Sequence, residues 1–140
     1  MIHVGIDPGT QTGFAWWNET SGEFVCRTTD FWGVIDTMTH DVFFSRPVTI
    51  VHIEVPSSKT LFAGRNKRLG AAGDVGAVVR ESQLLAEGIR RLGYKVIEHT
   101  PAEKGKKLDA ETFRRLTGYS GRTNQHERDA GMLCWRANKR

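Results

Sequence analysis

The groups in this chain best suited to chemistry are two carboxylates that each end an apolar run, and an imidazole–carboxylate pair three residues apart near the far end. Asp7 closes Ile2-His3-Val4-Gly5-Ile6 and stands directly before Pro8-Gly9. Glu54 closes the β-branched run Val48-Thr49-Ile50-Val51-His52-Ile53 and stands before Val55-Pro56. His126 and Asp129 occupy positions i and i+3 of a segment with helical character, so they share a face. Proline drives its predecessor towards extended geometry, which makes Asp7 the last extended residue of its strand. If the two acid-ended strands lie side by side in parallel, Asp7 and Glu54 meet at one end of a sheet, and the last helix can add His126 and Asp129. Acids gathered in this way repel one another unless cations neutralise them, so the pattern implies bound metal. Carboxylate oxygens with one imidazole suit Mg2+ or Mn2+ better than Zn2+. Two such ions about 3.5–4 Å apart activate a water on one side of a phosphodiester and stabilise the leaving oxygen on the other, with Glu54 between them. Each residue also has an ordinary role open to it. Asp7 could begin a plain hairpin, His126 could be a solvent-exposed turn residue, and Asp129 could pair with Arg128 or Arg136. Glu127 is better explained as a helix cap than as a ligand.

The elements that must position these groups follow from periodicity and turn chemistry. Ile2–Ile6, Phe14–Trp17 and Glu23–Thr29 read as a three-strand antiparallel meander, with Gly9 and Gly13 bending the first connection and Asn18-Glu19-Thr20-Ser21-Gly22 forming the second. Val34, Ile35, Met38, Val42 and Phe43 predict a helix over Gly33–Phe44, ended by Arg46-Pro47. Val48–Glu54 is a short central strand. Ser57–Ala72 is an irregular basic stretch of a length that is usually functional or mobile in a small domain. A helix is expected over Asp74–Leu92, with Val75, Val78, Val79, Leu85, Ile89 and Leu92 on its buried stripe and Gly93 stopping it. Lys95–Glu98 is the next strand, completing a βαβ unit with the strand that carries Glu54. A second basic loop, Pro101–Lys107, leads to a short helix over Asp109–Leu116. The last helix opens on a capping box, Asn124 with Glu127, and continues through Ala137 to Lys139-Arg140.

Charge divides the chain unevenly. Residues 1–56 carry two basic and seven acidic side chains, whereas residues 57–140 carry 18 basic and nine acidic ones, giving −5 and +9 around an overall +4. A carboxylate site joined to a cationic remainder suits a polyanionic substrate. Phosphate contacts are expected from Lys59, Arg65, Lys67, Arg68, Lys104, Lys106 and Lys107 in the two loops, with Arg114, Arg115 and Arg122 adding to them. The 140 residues suffice for one domain with a real core. No apolar run approaches the roughly 18 residues of a membrane span, and Met1-Ile2-His3-Val4 has no signal-peptide character. Cys26 and Cys134 are far apart in sequence and outside any Cys-x-x-Cys pair, as expected of reduced thiols in a cytoplasmic protein.

Taken together, Gly5-Ile6-Asp7-Pro8-Gly9 with Thr12-Gly13, Ile53-Glu54, and His126-x-x-Asp129-Ala130 resemble the RuvC-type Holliday junction resolvases of the RNase H-like (retroviral integrase) superfamily, and the chain length fits a minimal, phage-type member. The resemblance runs in order over almost the whole chain. It implies an α/β fold of RNase H-like type, a five-stranded mixed sheet flanked by helices. It also implies an endonuclease that nicks four-way DNA junctions with Mg2+ or Mn2+, two ions per site, held by Asp7, Glu54, His126 and Asp129. It further implies a homodimer formed through the Asp74–Leu92 helix, working in the cytoplasm of a bacterium or a phage-infected host. Two features depart from the family. The turn after Asp7 is one residue shorter than in the usual cellular enzymes, and Val55-Pro56-Ser57-Ser58 lacks the aromatic continuation that supplies the junction wedge, a role left to Phe62.

Two other readings share part of the pattern. A YqgF-like nuclease acting on RNA has the same acid-bearing first strand, but Pro8 and the His126/Asp129 pair favour the resolvase type. An actin-like ATP-binding protein also uses an Asp-x-Gly-Thr phosphate loop, with Gly73-Asp74-Val75-Gly76 as a second one. That architecture needs two such halves, and this length provides one.

Overall fold

The computed structural model of the chain describes residues 1–56, 72–101 and 106–139. A five-stranded mixed sheet runs in the order β3-β2-β1-β4-β5, formed by β1 (Ile2–Asp7), β2 (Thr12–Asn18), β3 (Phe24–Thr29), β4 (Thr49–Glu54) and β5 (Lys95–His99). β1–β2 and β2–β3 are antiparallel, and β1–β4 and β4–β5 are parallel. The described helices are α1 (Phe31–His40), α2 (Ala72–Arg91), α3 (Ala110–Thr117) and α4 (Gln125–Cys134). The expected meander, the central β-branched strand and the βαβ crossover through α2 are all present.

The sheet separates two cores because successive side chains of a strand point to opposite faces. On one face Ile2, Val4, Ile6, Phe14, Val51 and Ile53 pack against Val34 and Met38 of α1 and Leu85 and Ile89 of α2. On the other, Ala15, Trp17 and Cys26 meet Phe113 of α3 and Ala130 and Cys134 of α4. Trp17 is the bulkiest side chain the sheet contributes to the second core. Ala15 and the glycines of β1 and β2 leave room for α4 to lie close.

Several element limits differ from the sequence reading. α1 starts at Phe31, since the Asp30 carboxylate accepts a hydrogen bond from Gly33 N at 2.7 Å and caps it. It ends at His40 rather than Phe44, because Asp41 is extended and its side chain accepts from Phe43 N, turning the chain. Val42 is therefore exposed, while Phe44 still reaches the core beside Phe14 and Trp16. Arg46-Pro47-Val48 forms a 3-10 turn, so β4 begins at Thr49. On α2, Val79, Leu85 and Ile89 are buried as expected, but Val78 is 38% exposed. Gly93 adopts φ 98°, the left-handed conformation that ends a helix at low cost in glycine. α4 carries the complete capping box of Asn124 and Glu127. It stops at Cys134, where Trp135 turns extended, and a 3-10 turn over Ala137–Lys139 follows. No helix among the described residues is long and apolar enough to cross a membrane.

Candidate active site

β1 and β4 are paired in parallel with Ile6 opposite Ile53. One residue further along each strand, Asp7 and Glu54 stand at the adjacent carboxyl ends. Asp7 is held on its other side by pairing with Gly13 of β2. The Pro8-to-Gln11 turn that follows is fixed by Thr12, whose hydroxyl donates to Gly9 O at 3.1 Å. β5 adds His99, the register partner of Glu54. Asp7 and Glu54 are each 8% exposed, and Asp129 is 4% exposed.

α4 lies across β1 and β2, and its seat depends on missing side chains. A β-carbon on Gly5 would overlap the carbonyl oxygen of Ala130, and one on Gly13 would overlap that of His126. Neither glycine has positive φ. Their role is therefore close backbone approach and not the tight bending expected of Gly13 from sequence. With the helix this close, His126 Nδ1 lies 3.3 Å from Asp7 Oδ2. The His126 ring remains 45% exposed on its outer side, so it is both a surface group and a site group.

Asp129, one turn further on, accepts from Gln125 Nε2 at 2.8 Å and has Lys107 Nζ 3.7 Å from its other oxygen. Arg128, a sequence candidate for pairing with Asp129, donates instead to Leu108 O at 2.9 Å and Thr123 O at 2.8 Å. Arg136 lies over the Trp135 ring. By tying down Leu108, Arg128 fixes the chain next to Lys107 and so places that cation beside Asp129. Glu127 is the cap residue that its position suggested, accepting from Asn124 N at 2.8 Å.

Of the expected phosphate contacts, Lys106, Arg114, Arg115 and Arg122 are exposed, and Lys107 faces the site. Lys59, Arg65, Lys67, Arg68 and Lys104 lie outside the described residues, as do Phe62 and the side chain of Val75.

The donor set fits a hard divalent cation in kind, with three carboxylates and an imidazole carried by neighbouring elements. Asp7 faces His126, and Asp129 faces Lys107 and Gln125. Among the described residues, no three His, Cys, Asp or Glu side chains are grouped as an ion cage.

Sequence reasoning missed His99, Gly5, Gln125 and the site-facing position of Lys107. The signal for His99 was present, since it falls in phase with Ile97 on a strand that continues one residue past Glu98. The glycine inside the apolar run of β1 was a mark of close backbone approach. Searches for a matching protein-family model and for a matching curated protein find none, and the chain's own residues carry the functional argument.

Proposed function

We propose that this chain is a divalent-cation-dependent endonuclease of RNase H-like type that nicks four-way DNA junctions. The observation that carries the reading is the placement of Asp7 and Glu54 at adjacent ends of two parallel strands, with α4 laying His126 against Asp7 and burying Asp129 on the same side. Asp7, Glu54, His126 and Asp129 are the residues that would hold Mg2+ or Mn2+. Bound there, such ions supply activation of water and stabilisation of the leaving oxygen in phosphodiester hydrolysis.

The chain's own groups do the rest. His126 orients Asp7 through the 3.3 Å contact. Lys107 offsets the charge of Asp129 and is exposed enough to swing to a DNA phosphate. Lys106, Arg114, Arg115 and Arg122 supply cationic surface for the backbone. Such contacts give affinity that falls steeply with salt and carry no sequence information. A second copy would pair along α2, where Val78 and Leu84 stay exposed. The setting is the cytoplasm of a bacterium or a phage-infected cell.

The test compares cleavage of a four-way DNA junction, a linear duplex and a structured RNA, with and without Mg2+. Metal-dependent nicking of the junction in preference to the other two supports the reading. Preferential RNA cleavage would move the assignment to a YqgF-like activity, and metal-independent or absent cleavage would remove it.

A further inference from the structure

On the sheet face that carries Asp7 and Glu54, three histidines run diagonally towards the acidic end. His3 of β1 is opposite Ile50 and His52 of β4 is two residues further on; His52 is opposite Ile97 and His99 of β5 is again two further on. Each step therefore moves one strand across and two residues along, ending opposite Glu54. The rings are joined nitrogen to nitrogen, His3 Nδ1 to His52 Nε2 at 3.0 Å and His52 Nδ1 to His99 Nε2 at 3.0 Å. At the other end, His3 Nε2 lies 2.8 Å from Glu19 Oε1. The planes of successive rings differ by 32° and 35°. His3 and His52 are buried, and Trp17 stacks on His3.

We infer that Glu19 sets the tautomer of His99 through this chain, and that His99 is a further member of the candidate site, presenting an acceptor nitrogen at the Glu54 end. A carboxylate only accepts, so Glu19 requires the proton of His3 on Nε2. His3 Nδ1 is then an acceptor, which requires the proton of His52 on Nε2. His52 Nδ1 is an acceptor in turn, which requires the proton of His99 on Nε2 and leaves the lone pair on His99 Nδ1. An acceptor beside Glu54 suits a cation or the proton of a water and disfavours direct contact with a phosphate oxygen, which needs a donor. Glu19, His3 and His52 are positioning residues, acting through His99. Their effect on cleavage rests on the nuclease reading; the tautomer order does not.

The experiment is two-bond 15N–1H correlation of the imidazoles in the full chain at about pH 8, above the ordinary imidazole range, with folding followed by thermal melting. The wild type is expected to show His3, His52 and His99 each as a single Nε2–H tautomer. In Glu19→Gln the amide can donate or accept, so His99 should become a mixture of tautomers. In His52→Phe, His3 should keep its Nε2 proton while His99 loses its single form. A His99 carrying its proton on Nδ1 in the wild type, a doubly protonated His3, or a His99 unchanged in a folded Glu19→Gln protein would overturn the inference. In parallel junction-cleavage assays, Glu19→Gln should lower kcat several-fold with DNA affinity unchanged, and unaltered kcat would overturn the site role of His99. A wild type that fails to nick while showing the expected tautomers would count against the nuclease reading and for the relay.

Discussion

A β-carbon on Gly13 would occupy the space held by the backbone carbonyl oxygen of His126. The same backbone that brings the imidazole to Asp7 thus requires glycine on the neighbouring strand. Gly13→Ala forces α4 away from β2, and overpacking of this kind costs about 1–3 kcal/mol. Chemical denaturation should show that loss, and metal-dependent nicking should fall further than the lost stability explains. An unchanged denaturation midpoint would mean that the helix has room to move without consequence.

The cap of α4 has a measurable share in the site. Asn124 accepts from Glu127 N at 2.8 Å, and Asn124→Ala should cost about 1 kcal/mol. Since His126 lies in the first turn, fraying there should reduce nicking at elevated temperature before global unfolding begins. Parallel melting and activity curves that keep the wild-type separation would contradict this.

How much of this was legible in the sequence depended on the range of the physics involved. The acid-ended strands and the Asn124 cap are local signals, and each was read from a few neighbouring residues. Their alignment needed only the assumption that β1 and β4 lie side by side in parallel. The end of α1 differs from the sequence expectation because Val42 and Phe43 continue a helical spacing, while the Asp41 side chain turns the chain. The glycine seats under α4 and the three-histidine diagonal depend on contacts across elements. The register of three strands must be known before His3, His52 and His99 can be seen as one row.

Lys107 stands 3.7 Å from Asp129 and offsets part of the acidic charge at the site. Its removal in Lys107→Met leaves the carboxylates more dependent on a bound cation. The Mg2+-induced rise in Tm should therefore be larger in the variant than in the wild type. A smaller rise would show that Lys107 assists cation binding instead of substituting for it.

Burial, with a smaller contribution from Glu127, pushes the Cys26 thiol up to about 12. An unfolded chain ionises this thiol near its ordinary value of 9.0, so above that pH the unfolded state binds fewer protons than the folded one. Stability should fall as pH rises from about 9 towards about 12, by up to about 1.4 kcal/mol per pH unit from this group. Denaturation at stepped pH in wild type and Cys26→Ser checks the slope, which should be shallower in the variant. Thiol reagents should label neither Cys26 nor Cys134 in the folded protein at neutral pH, since both are buried.

The most direct test of the central claim is nicking of a four-way DNA junction by wild type and Asp7→Asn under Mg2+, with junction binding measured on the same preparations. Metal-dependent nicking by the wild type is expected, with loss of at least about a hundredfold in the variant and binding within a few-fold of wild type. Cutting retained by a folded Asp7→Asn protein would contradict it.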